Sequence, residues 1–333
     1  MTQPSEILPP NTPPPQGAKQ APGALTPLFP DFKPLEMSDR PAIEAFTEQF
    51  EPYSDFCFST LTFYNINNST HWCWLNGNLV LRFCDAFGHG VNGTYFTFLG
   101  CEQAATTANT LIVYAQQTNC SPILWRVPEI STQAIRRENE TLRIDESRDG
   151  FDYIYSTDAL ARLIGPTFIK ARNDVSRFKR RYPQHRFATF DLRNESTYEQ
   201  LRRTISSWQS NKSATVMMDY NCRAFEACLH NAQHFDLHCL GVVINDSLVG
   251  FLIYEQIRKE WLIGHFGITN LEFTGLFDYL LHHMIEHGQK LGCTHYNNQE
   301  DLGHPGLRHF KMKYAPSGFL RKFRISQVDN LTR

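Results

Sequence analysis

The densest group of polar side chains in this sequence lies between residues 297 and 314. Glu300 and Asp301 follow a predicted strand, and Arg308 and Lys311 come three residues apart, so both cations would share one helix face. A carboxylate beside cations can orient or deprotonate an amine, and the cations can hold a phosphate or a developing oxyanion. The segment therefore predicts a reactive site, with a salt-bridge network that caps a helix as the alternative.

Two clusters of basic residues each carry a net charge of +6, although the whole chain carries −2. The first comprises Lys170, Arg172, Arg177, Lys179, Arg180, Arg181 and Arg186 around Asp174, and the second comprises Arg308, Lys311, Lys313, Arg321, Lys322 and Arg324. Such asymmetry indicates anionic ligands, for example RNA phosphates or lipid headgroups. The alternative for residues 177–181 is a solvated charged helix face.

Three histidines, His230, His234 and His238, recur every four residues, a spacing that binds zinc when it lies on a helix. The His-Glu-x-x-His signature is absent, and Gly241 soon ends the element. These histidines therefore favour ordinary surface or core positions, and we expect no metal site. Neither a Walker phosphate loop nor a Gly-x-Ser-x-Gly nucleophile elbow occurs in the sequence.

Hydrophobic patterning predicts two similar α/β stretches that would position these residues. In the first, we expect a helix from Ser38 to about Phe50, a strand or short helix at 56–63, strands at 79–83 and 95–99 around a turn at 88–93, a helix at 102–117 and a strand at 122–127. In the second, we expect helices at 197–209 and 221–234, a hairpin at 240–254, a strand at 261–268, a helix at 275–290 and a strand at 294–296. This repeated order is typical of an acetyltransferase-type (GNAT-like) fold, so the prediction is an α/β protein with two tandem GNAT-like domains, each a mixed sheet flanked by helices.

Composition and length limit the class of protein. The chain has 333 residues, 41% of them hydrophobic, which excludes wholesale disorder and fibrous classes. Residues 1–34 contain ten of the 18 prolines and predict a disordered Pro-rich tail, followed by domains at 35–160 and 161–333. No apolar run of 18 residues occurs, so we expect no membrane span. The nine scattered cysteines fit reduced thiols in the cytoplasm.

Four motifs together resemble a known family. They are Ser54-Asp55-Phe56-Cys57-Phe58, the segment 151–156, the segment 170–178, and Glu300-Asp301-Leu302-Gly303 with Gly306-Leu307-Arg308 and Lys311. Over about residues 35–325 the chain is similar to the C-terminal catalytic domain of phosphatidylglycerol lysyltransferases. Characterised members of that family take an amino acid from an aminoacyl-tRNA and attach it to a lipid hydroxyl.

The resemblance implies roles for individual residues. Asp301, Arg308 and Lys311 would serve the aminoacyl end, and Glu255 would be a further catalytic residue. Lys170, Arg172, Asn173, Arg177 and Glu300 would contact the tRNA terminus or the acceptor. Aminoacyl-tRNA would be the co-substrate, with no separate cofactor. The implied location is the cytoplasm or the inner face of a membrane, with peripheral contact to anionic lipid.

Two alternatives stay open from the sequence. A CoA-dependent N-acyltransferase would need a glycine-rich phosphate nest at the start of the helix at residue 275, but residues 272–277 offer one glycine beside an acid. A non-catalytic GNAT-like binding module would use the proline-rich tail and the histidines for partner contacts. The transferase hypothesis predicts that both basic clusters line one groove, with Asp301 and Arg308 at its floor.

Overall fold

The computed structural model describes residues 26–84, 93–138, 142–210 and 216–328. The strands are Lys33–Pro34 (β1), Thr70–Leu75 (β2), Asn78–Phe83 (β3), Tyr95–Leu99 (β4), Leu124–Pro128 (β5), Leu142–Glu146 (β6), Asp152–Ser156 (β7), Arg186–Thr189 (β8), Leu237–Ile244 (β9), Ser247–Arg258 (β10), Trp261–Thr269 (β11), His295–Asn297 (β12), Gly318–Leu320 (β13) and Lys322–Gln327 (β14). The α-helices are Arg40–Thr47 (α1), Phe58–Phe63 (α2), Ala104–Gln117 (α3), Glu129–Arg137 (α4), Thr157–Arg162 (α5), Ile169–Arg181 (α6), Glu195–Ser210 (α7), Val216–Asn231 (α8), Leu276–Lys290 (α9) and Pro305–Met312 (α10).

Two compact units share the chain, and their segments alternate along the sequence. The first comprises the described parts of 1–49, 68–146 and 323–333, and the second comprises those of 50–67 and 147–322. This division differs from the predicted boundary at 160/161. The reason is that β7 joins the sheet of the second unit and β14 joins the sheet of the first. Pairing between strands so distant in sequence leaves no trace in local periodicity.

The first unit is built on a mixed sheet with the order β1-β2-β3-β4-β5-β14-β6. The neighbours from β1 to β4 pair antiparallel, and β4 pairs parallel with β5. Helix α3 packs its small residues Ala104, Ala105 and Ala108 into the core beside Phe96 and Phe98. Small side chains allow the helix to lie close to the large rings of the sheet.

The end of the predicted tail is folded in this unit. Phe29 is buried, its N–H donates to the Trp74 carbonyl at 2.9 Å, and the Trp74 N–H donates to the Pro27 carbonyl at 2.8 Å. Strand β1 then pairs with β2 at the sheet edge. Prolines fit an edge because a carbonyl without an N–H still accepts a ladder hydrogen bond. The prediction of disorder is therefore wrong for residues 26–34, and residues 1–25 lie outside the described part of the chain.

A carboxylate from another helix end caps the N-terminus of α3. Gln103 precedes the helix in the left-handed region and gives no side-chain cap. Glu138, just beyond α4, accepts from the N–H groups of Ala104 at 2.7 Å and Ala105 at 2.8 Å. The carboxylate thus satisfies two of the free N–H groups that every helix start leaves, and it complements the helix dipole.

We expect Glu138→Ala to lower the free energy of unfolding by about 1 kcal/mol, because the variant loses a charged cap. Urea denaturation of the purified chain would measure this. The control is Glu102→Ala, which removes a carboxylate from an exposed side chain near the same helix start. Equal stability of the two variants would contradict a capping role for Glu138.

The second unit is built on a mixed sheet with the order β13-β7-β12-β11-β10-β9-β8. Strands β11 and β12 pair in parallel, and the predicted hairpin of β9 and β10 is confirmed, with Asn245 and Asp246 at positive φ in its turn. Helices α5, α6 and α9 cover one face around a core that includes Tyr155, Tyr254 and Tyr296. The fold-class prediction, two mixed sheets flanked by helices, is confirmed.

Most predicted elements are found within a few residues of their expected bounds. The ambiguous segment 56–63 forms helix α2, and the helix predicted to reach Phe50 ends at Thr47. Of the turn predicted at 88–93, residues 88–92 lie outside the described residues. At one of the irregularities in the pairing of β10 with β11, Ile253 pairs with Phe266 and Tyr254 with Gly264, so His265 is an extra residue in β11. Such a bulge redirects a side chain.

Candidate functional site

The turn after β12 brings Asp301 and Arg308 together. Leu302 and Gly303 both adopt positive φ, and the Gly303 N–H donates to Asp301 Oδ1 at 2.9 Å. His304 then caps α10, because its Nδ1 accepts from the N–H of Leu307. The chain reverses within four residues, so that the first turn of α10 carries Arg308 back to the carboxylate.

Five side chains form what we call the Asp301 site: Arg148, Asp149, Tyr153, Asp301 and Arg308. Arg308 binds Asp301 in bidentate fashion, from Nε to Oδ2 and from Nη2 to Oδ1, both at 2.8 Å. The Tyr153 hydroxyl donates to Oδ2, and Arg148 Nη1 lies 3.4 Å from the same atom. Arg308 Nη2 also donates to Asp149 at 2.6 Å. Planar bidentate pairing fixes the orientation of the guanidinium as well as its position.

Asp301 is held in its charged form. Burial disfavours the carboxylate, but the hydrogen bonds from Arg308 and Tyr153 outweigh burial and lower the pKa of Asp301 below its ordinary value. The same contact raises the pKa of Arg308. Since both oxygens of Asp301 already accept hydrogen bonds, the carboxylate is suited to holding cations in place rather than to taking a proton from a substrate.

The cations of the Asp301 site reach solvent. Asp301 is fully buried, whereas the side chains of Arg308 and Arg148 are 36% and 33% exposed. Arg148 also lies over the rings of Tyr153 and Phe319, at 5.0 and 4.7 Å from their centroids. Two oriented guanidinium groups are therefore partly open to solvent beside a buried anion. Such an arrangement can bind a phosphate or stabilise negative charge that develops on a carbonyl oxygen.

The sequence prediction did not include Arg148 and Tyr153 among the site residues. Tyr153 lies within the segment 151–156 that contributed to the family resemblance, which was the one available signal. No signal in the sequence pointed to Arg148, because it lies 153 residues from Asp301 along the chain. Tyr153 lies on β7 and Arg148 lies in the short 3-10 turn just before it, and the sheet order puts β7 next to β12.

Lys311 lies beneath this turn and is buried. Its Nζ donates to the carbonyl oxygens of Asn298, Gln299 and Glu300, the last at 2.7 Å. Burial lowers the pKa of Lys311 to about 8. Because its three protons are all directed at backbone carbonyls, the structure gives Lys311 the role of fixing the segment between β12 and α10. It is a positioning residue for Asp301.

A second buried group, which we call the Lys322 cluster, comprises Ser54, Asp55, Asp152 and Lys322. Lys322 is fully buried and pairs with Asp55 and with Asp152, the latter at 2.8 Å. Ser54 donates its N–H and its hydroxyl to Asp152 at 2.8 and 2.6 Å. Burial raises the pKa of Asp152 although Lys322 opposes the shift. The Ser54 hydroxyl also lies 3.3 Å from Glu300, which places Glu300 between the Lys322 cluster and Asp301.

Glu255 is buried in a third polar group on the same face of the sheet. The Ser59 hydroxyl donates to Glu255 Oε1, and the His265 Nε2 lies 3.0 Å from that oxygen. The bulge in β11 carries His265. Glu255 lies opposite Ile263, and Ile263 lies opposite Asn297, so these side chains share the face that also carries Asp152. Cys57, close by, is a neutral thiol, because burial raises its pKa to about 12.

The first basic cluster lies on α6, except for Arg186, which begins β8. Lys170, Arg172, Asn173 and Arg177 are all exposed. Arg172 donates to the carbonyl of Leu163, which ends α5, and Arg177 pairs with Asp174 at 3.0 Å. The cluster therefore presents a mostly solvent-facing cationic helix surface, with Arg172 partly engaged in fixing the preceding loop.

The second basic cluster is accessible only in part, because Arg324 is exposed and Arg308 and Arg321 are half-buried, whereas its three lysines have partners in the interior. Lys311 and Lys322 are buried, and Lys313 pairs with Asp278 and with Asp174, the latter at 3.0 Å. The sequence shows the cations, but their carboxylate partners come from distant elements and cannot be read from local spacing. The Lys313–Asp174 pair does connect the end of α10 with α6, so Arg308 and the exposed cluster lie on neighbouring helices.

The histidine triplet is divided among three elements. His230 lies in α8, His234 in a short 3-10 turn and His238 in β9. Their four-residue spacing therefore does not place them on one helix face. In the described ranges, no group of three His, Cys, Asp or Glu side chains is arranged to hold a metal ion. The helices found in those ranges are too short or too polar to cross a bilayer.

Solved structures with this fold come from several bacteria. A conserved protein of unknown function from Bacteroides thetaiotaomicron is 22% identical with a TM-score of 0.75, covering 89% of this chain and 99% of that one. L-PGS from Bacillus licheniformis is 16% identical with a TM-score of 0.57, covering 87% and 92%. The C-terminal domain of a protein assigned as a lysylphosphatidylglycerol synthetase from Agrobacterium fabrum is 12% identical with a TM-score of 0.59, covering 85% and 89%.

These likenesses agree with the prediction of tandem acetyltransferase-type units, which is confirmed at the level of the fold. Comparison with curated proteins finds none that matches the sequence. The family model described as phosphatidylglycerol lysyltransferase, C-terminal, matches residues 50–326, which include the Asp301 site, the Lys322 cluster and α6. Family and fold together identify an enzyme of the acyltransferase type. The chain belongs to the phosphatidylglycerol lysyltransferase C-terminal family.

Proposed function

We propose that this protein is an aminoacyl-tRNA-dependent transferase that moves an aminoacyl group to a lipid or another acceptor. The observation that carries the proposal is the pair of partly exposed guanidinium groups, Arg308 and Arg148, held by the buried Asp301. The ester of an aminoacyl-tRNA is already activated, so its transfer needs positioning and charge stabilisation more than an enzyme nucleophile.

In this proposal the acceptor hydroxyl attacks the ester carbonyl, and negative charge develops on the carbonyl oxygen. Arg308 and Arg148 stabilise that charge. The bond between the carbonyl carbon and the tRNA ribose oxygen then breaks, and the acceptor proton passes to the ribose oxygen. Asp301 and Lys311 position these groups. Glu255 and Glu300 would orient the amine or the acceptor.

Helix α6 would contact the tRNA. Lys170, Asn173 and Arg177 are exposed there, and the Lys313–Asp174 pair joins α6 to the helix that carries Arg308. A cationic helix face attracts phosphates without requiring a basic chain overall. The net charge of −2 therefore does not argue against tRNA as a partner.

The binding of CoA is disfavoured by acids at both helix starts that could hold its pyrophosphate. In the first unit Glu138 already occupies the N–H groups at the start of α3. In the second unit Gly275 packs tightly against the backbone carbonyl of Asp174, and Asp278 lies in the first turn of α9. A pyrophosphate at the start of α3 would have to displace the carboxylate of Glu138, and one at the start of α9 would lie near the carboxylate of Asp278.

The test is the binding of purified protein to charged tRNA across a salt series. We expect salt-sensitive binding, and the double variant Lys170→Ala/Arg177→Ala should reduce the slope of log K against log salt by about 2. The control double variant Arg193→Ala/Arg203→Ala removes the same charge from exposed positions elsewhere. An equal reduction in both variants, or no binding at low salt, would count against tRNA as co-substrate.

The same proposal places the protein in the cytoplasm, in peripheral contact with anionic lipid. The side chains of Ile164 and Ile169 are exposed large hydrophobics, at 71% and 47%, and Lys170 and Arg172 follow directly. Apolar side chains flanked by cations are typical of surfaces that lie on anionic membranes.

We expect Ile164→Ser/Ile169→Ser to reduce co-flotation with vesicles that contain anionic lipid by about fivefold or more, because both apolar side chains would enter the interface. Zwitterionic vesicles should bind the wild-type chain weakly. Val113→Ser on α3 is the matched control, since Val113 is similarly exposed. Equal flotation of the double variant and the wild type would argue against this surface.

A further inference from the structure

A cleft of about 570 Å³ lies in the second unit, where α7 and α8 meet the short turn at 66–68. Its apolar wall includes Ile66, Ile205 and Phe225. Its polar rim includes Arg202, Arg223 and His230. Its lining shares no residue with the Asp301 site or the Lys322 cluster, so the proposed transfer reaction leaves it unexplained.

The apolar wall is formed before any ligand arrives. Phe225 is buried, and its ring packs against those of Phe251 and Phe266, at 5.8 and 5.6 Å between centroids. Ile205 is likewise buried from the side of α7. A fixed apolar surface of this kind accepts an alkyl or aryl group without a large conformational cost, and the volume is within the range of small-molecule sites.

The rim carries one positive charge that is not balanced within the cleft. Arg202 pairs with Glu226 through two of its nitrogen atoms, from 2.6 to 3.1 Å, so this pair is neutral overall. Arg223 is exposed, and within the described residues its one hydrogen bond runs from Nη2 to the Asn67 side-chain oxygen at 2.6 Å. The amide of Asn67 therefore orients a guanidinium whose other donors make no hydrogen bond among the residues that the structure describes.

We propose that this cleft binds a small amphipathic anion, with one phosphate or carboxylate group on Arg223 and an apolar group against Ile66, Ile205 and Phe225. A single unbalanced cation matches a single anionic group. His230 is exposed at the same rim and adds a further hydrogen-bonding group for the anion. The ligand is either a free organic anion or a lipid whose headgroup carries the same group, and its binding does not depend on the transfer reaction.

Calorimetric titration of the full chain with hexyl phosphate tests the proposal. We expect measurable binding that weakens at least tenfold in Arg223→Met, whereas inorganic phosphate and hexanol each bind at least tenfold more weakly than hexyl phosphate. Arg203→Met is the matched control. Like Arg223, Arg203 is exposed, but it lies on α7 and does not line the cleft. Ile66→Ser should weaken hexyl phosphate and leave the weak binding of inorganic phosphate unchanged.

Three results would overturn the proposal: no binding of hexyl phosphate, equal binding by Arg223→Met, or equal binding of hexanol. Circular dichroism of each variant separates a binding defect from misfolding. Displacement of hexyl phosphate by a dihexanoyl phospholipid would identify a lipid as the ligand class, and lack of displacement would identify a free organic anion. Binding of charged tRNA by the same variants should stay at the wild-type level, so the two proposals fail independently.

Discussion

Asp301→Asn is expected to lower aminoacyl transfer from charged tRNA by about 100-fold or more, the range found when an oriented donor to a developing oxyanion is lost. The carboxamide keeps the shape of the side chain but removes the charge that orients two guanidinium groups. Arg308 and Arg148 would then repel each other and leave the geometry in which they face the substrate. The measurement is the rate at which a labelled amino acid leaves charged tRNA for membrane lipid or another acceptor.

Asp149→Asn is the matched control for this experiment. Asp149 also pairs with Arg308, at 2.6 Å, but its side chain is 66% exposed and the contact is screened by water. We therefore expect a loss of less than about tenfold from this variant, as for other surface ion pairs. If folded Asp301→Asn, checked by its thermal transition, kept activity close to that of Asp149→Asn, the Asp301 site would not be the reaction centre.

The second large effect concerns stability. Lys322→Met should lower the free energy of unfolding by about 3–5 kcal/mol at neutral pH, because it leaves two buried carboxylates without a cation. Asp55 and Asp152 would remain in the interior, and Met fills nearly the same volume as Lys. Urea denaturation at several pH values would measure the loss. The exposed Lys290→Met is the control and should change the stability by less than about 0.5 kcal/mol.

The loss of stability in Lys322→Met should depend on pH, and the direction of that dependence follows from the pKa of Asp152. A carboxyl whose folded pKa lies above its unfolded value stabilises the folded state at low pH, and this contribution is lost as the pH rises through the folded pKa. Burial already raises the pKa of Asp152 beside Lys322, and removal of Lys322 should raise it further. The deficit of Lys322→Met should therefore shrink as the pH falls toward about 4. A deficit that grew in acid would show that the buried carboxylates are not its cause.

The fold of this protein could be predicted largely from its sequence. Hydrophobic alternation and turn residues indicated the hairpin at 240–254 and the helix at 275–290, because these elements depend on local periodicity and on residues such as Asn245 that tolerate positive φ. The division into units was not predictable in the same way. It depends on β7 and β14, which pair with strands far along the chain.

The candidate site was predictable in part, for a similar reason. Asp301 and Arg308 are seven residues apart, so a turn and the start of one helix suffice to bring them together. The polar segment at 297–314 therefore indicated this part of the site. Tyr153 and Arg148 are about 150 residues away from Asp301 and reach it through the strand order of the sheet. Sequence spacing contains no information about such contacts.

The charged residues show most clearly which features the sequence determines and which the tertiary structure determines. The sequence by itself determined that lysines and arginines accumulate at 170–186 and at 308–324. The tertiary structure decided that the first group faces solvent on α6, whereas Lys311, Lys313 and Lys322 turn inward to carbonyls and carboxylates. The physical reason is that a charge enters the interior only where partners from other elements compensate its lost hydration, and those partners assemble only when the chain folds.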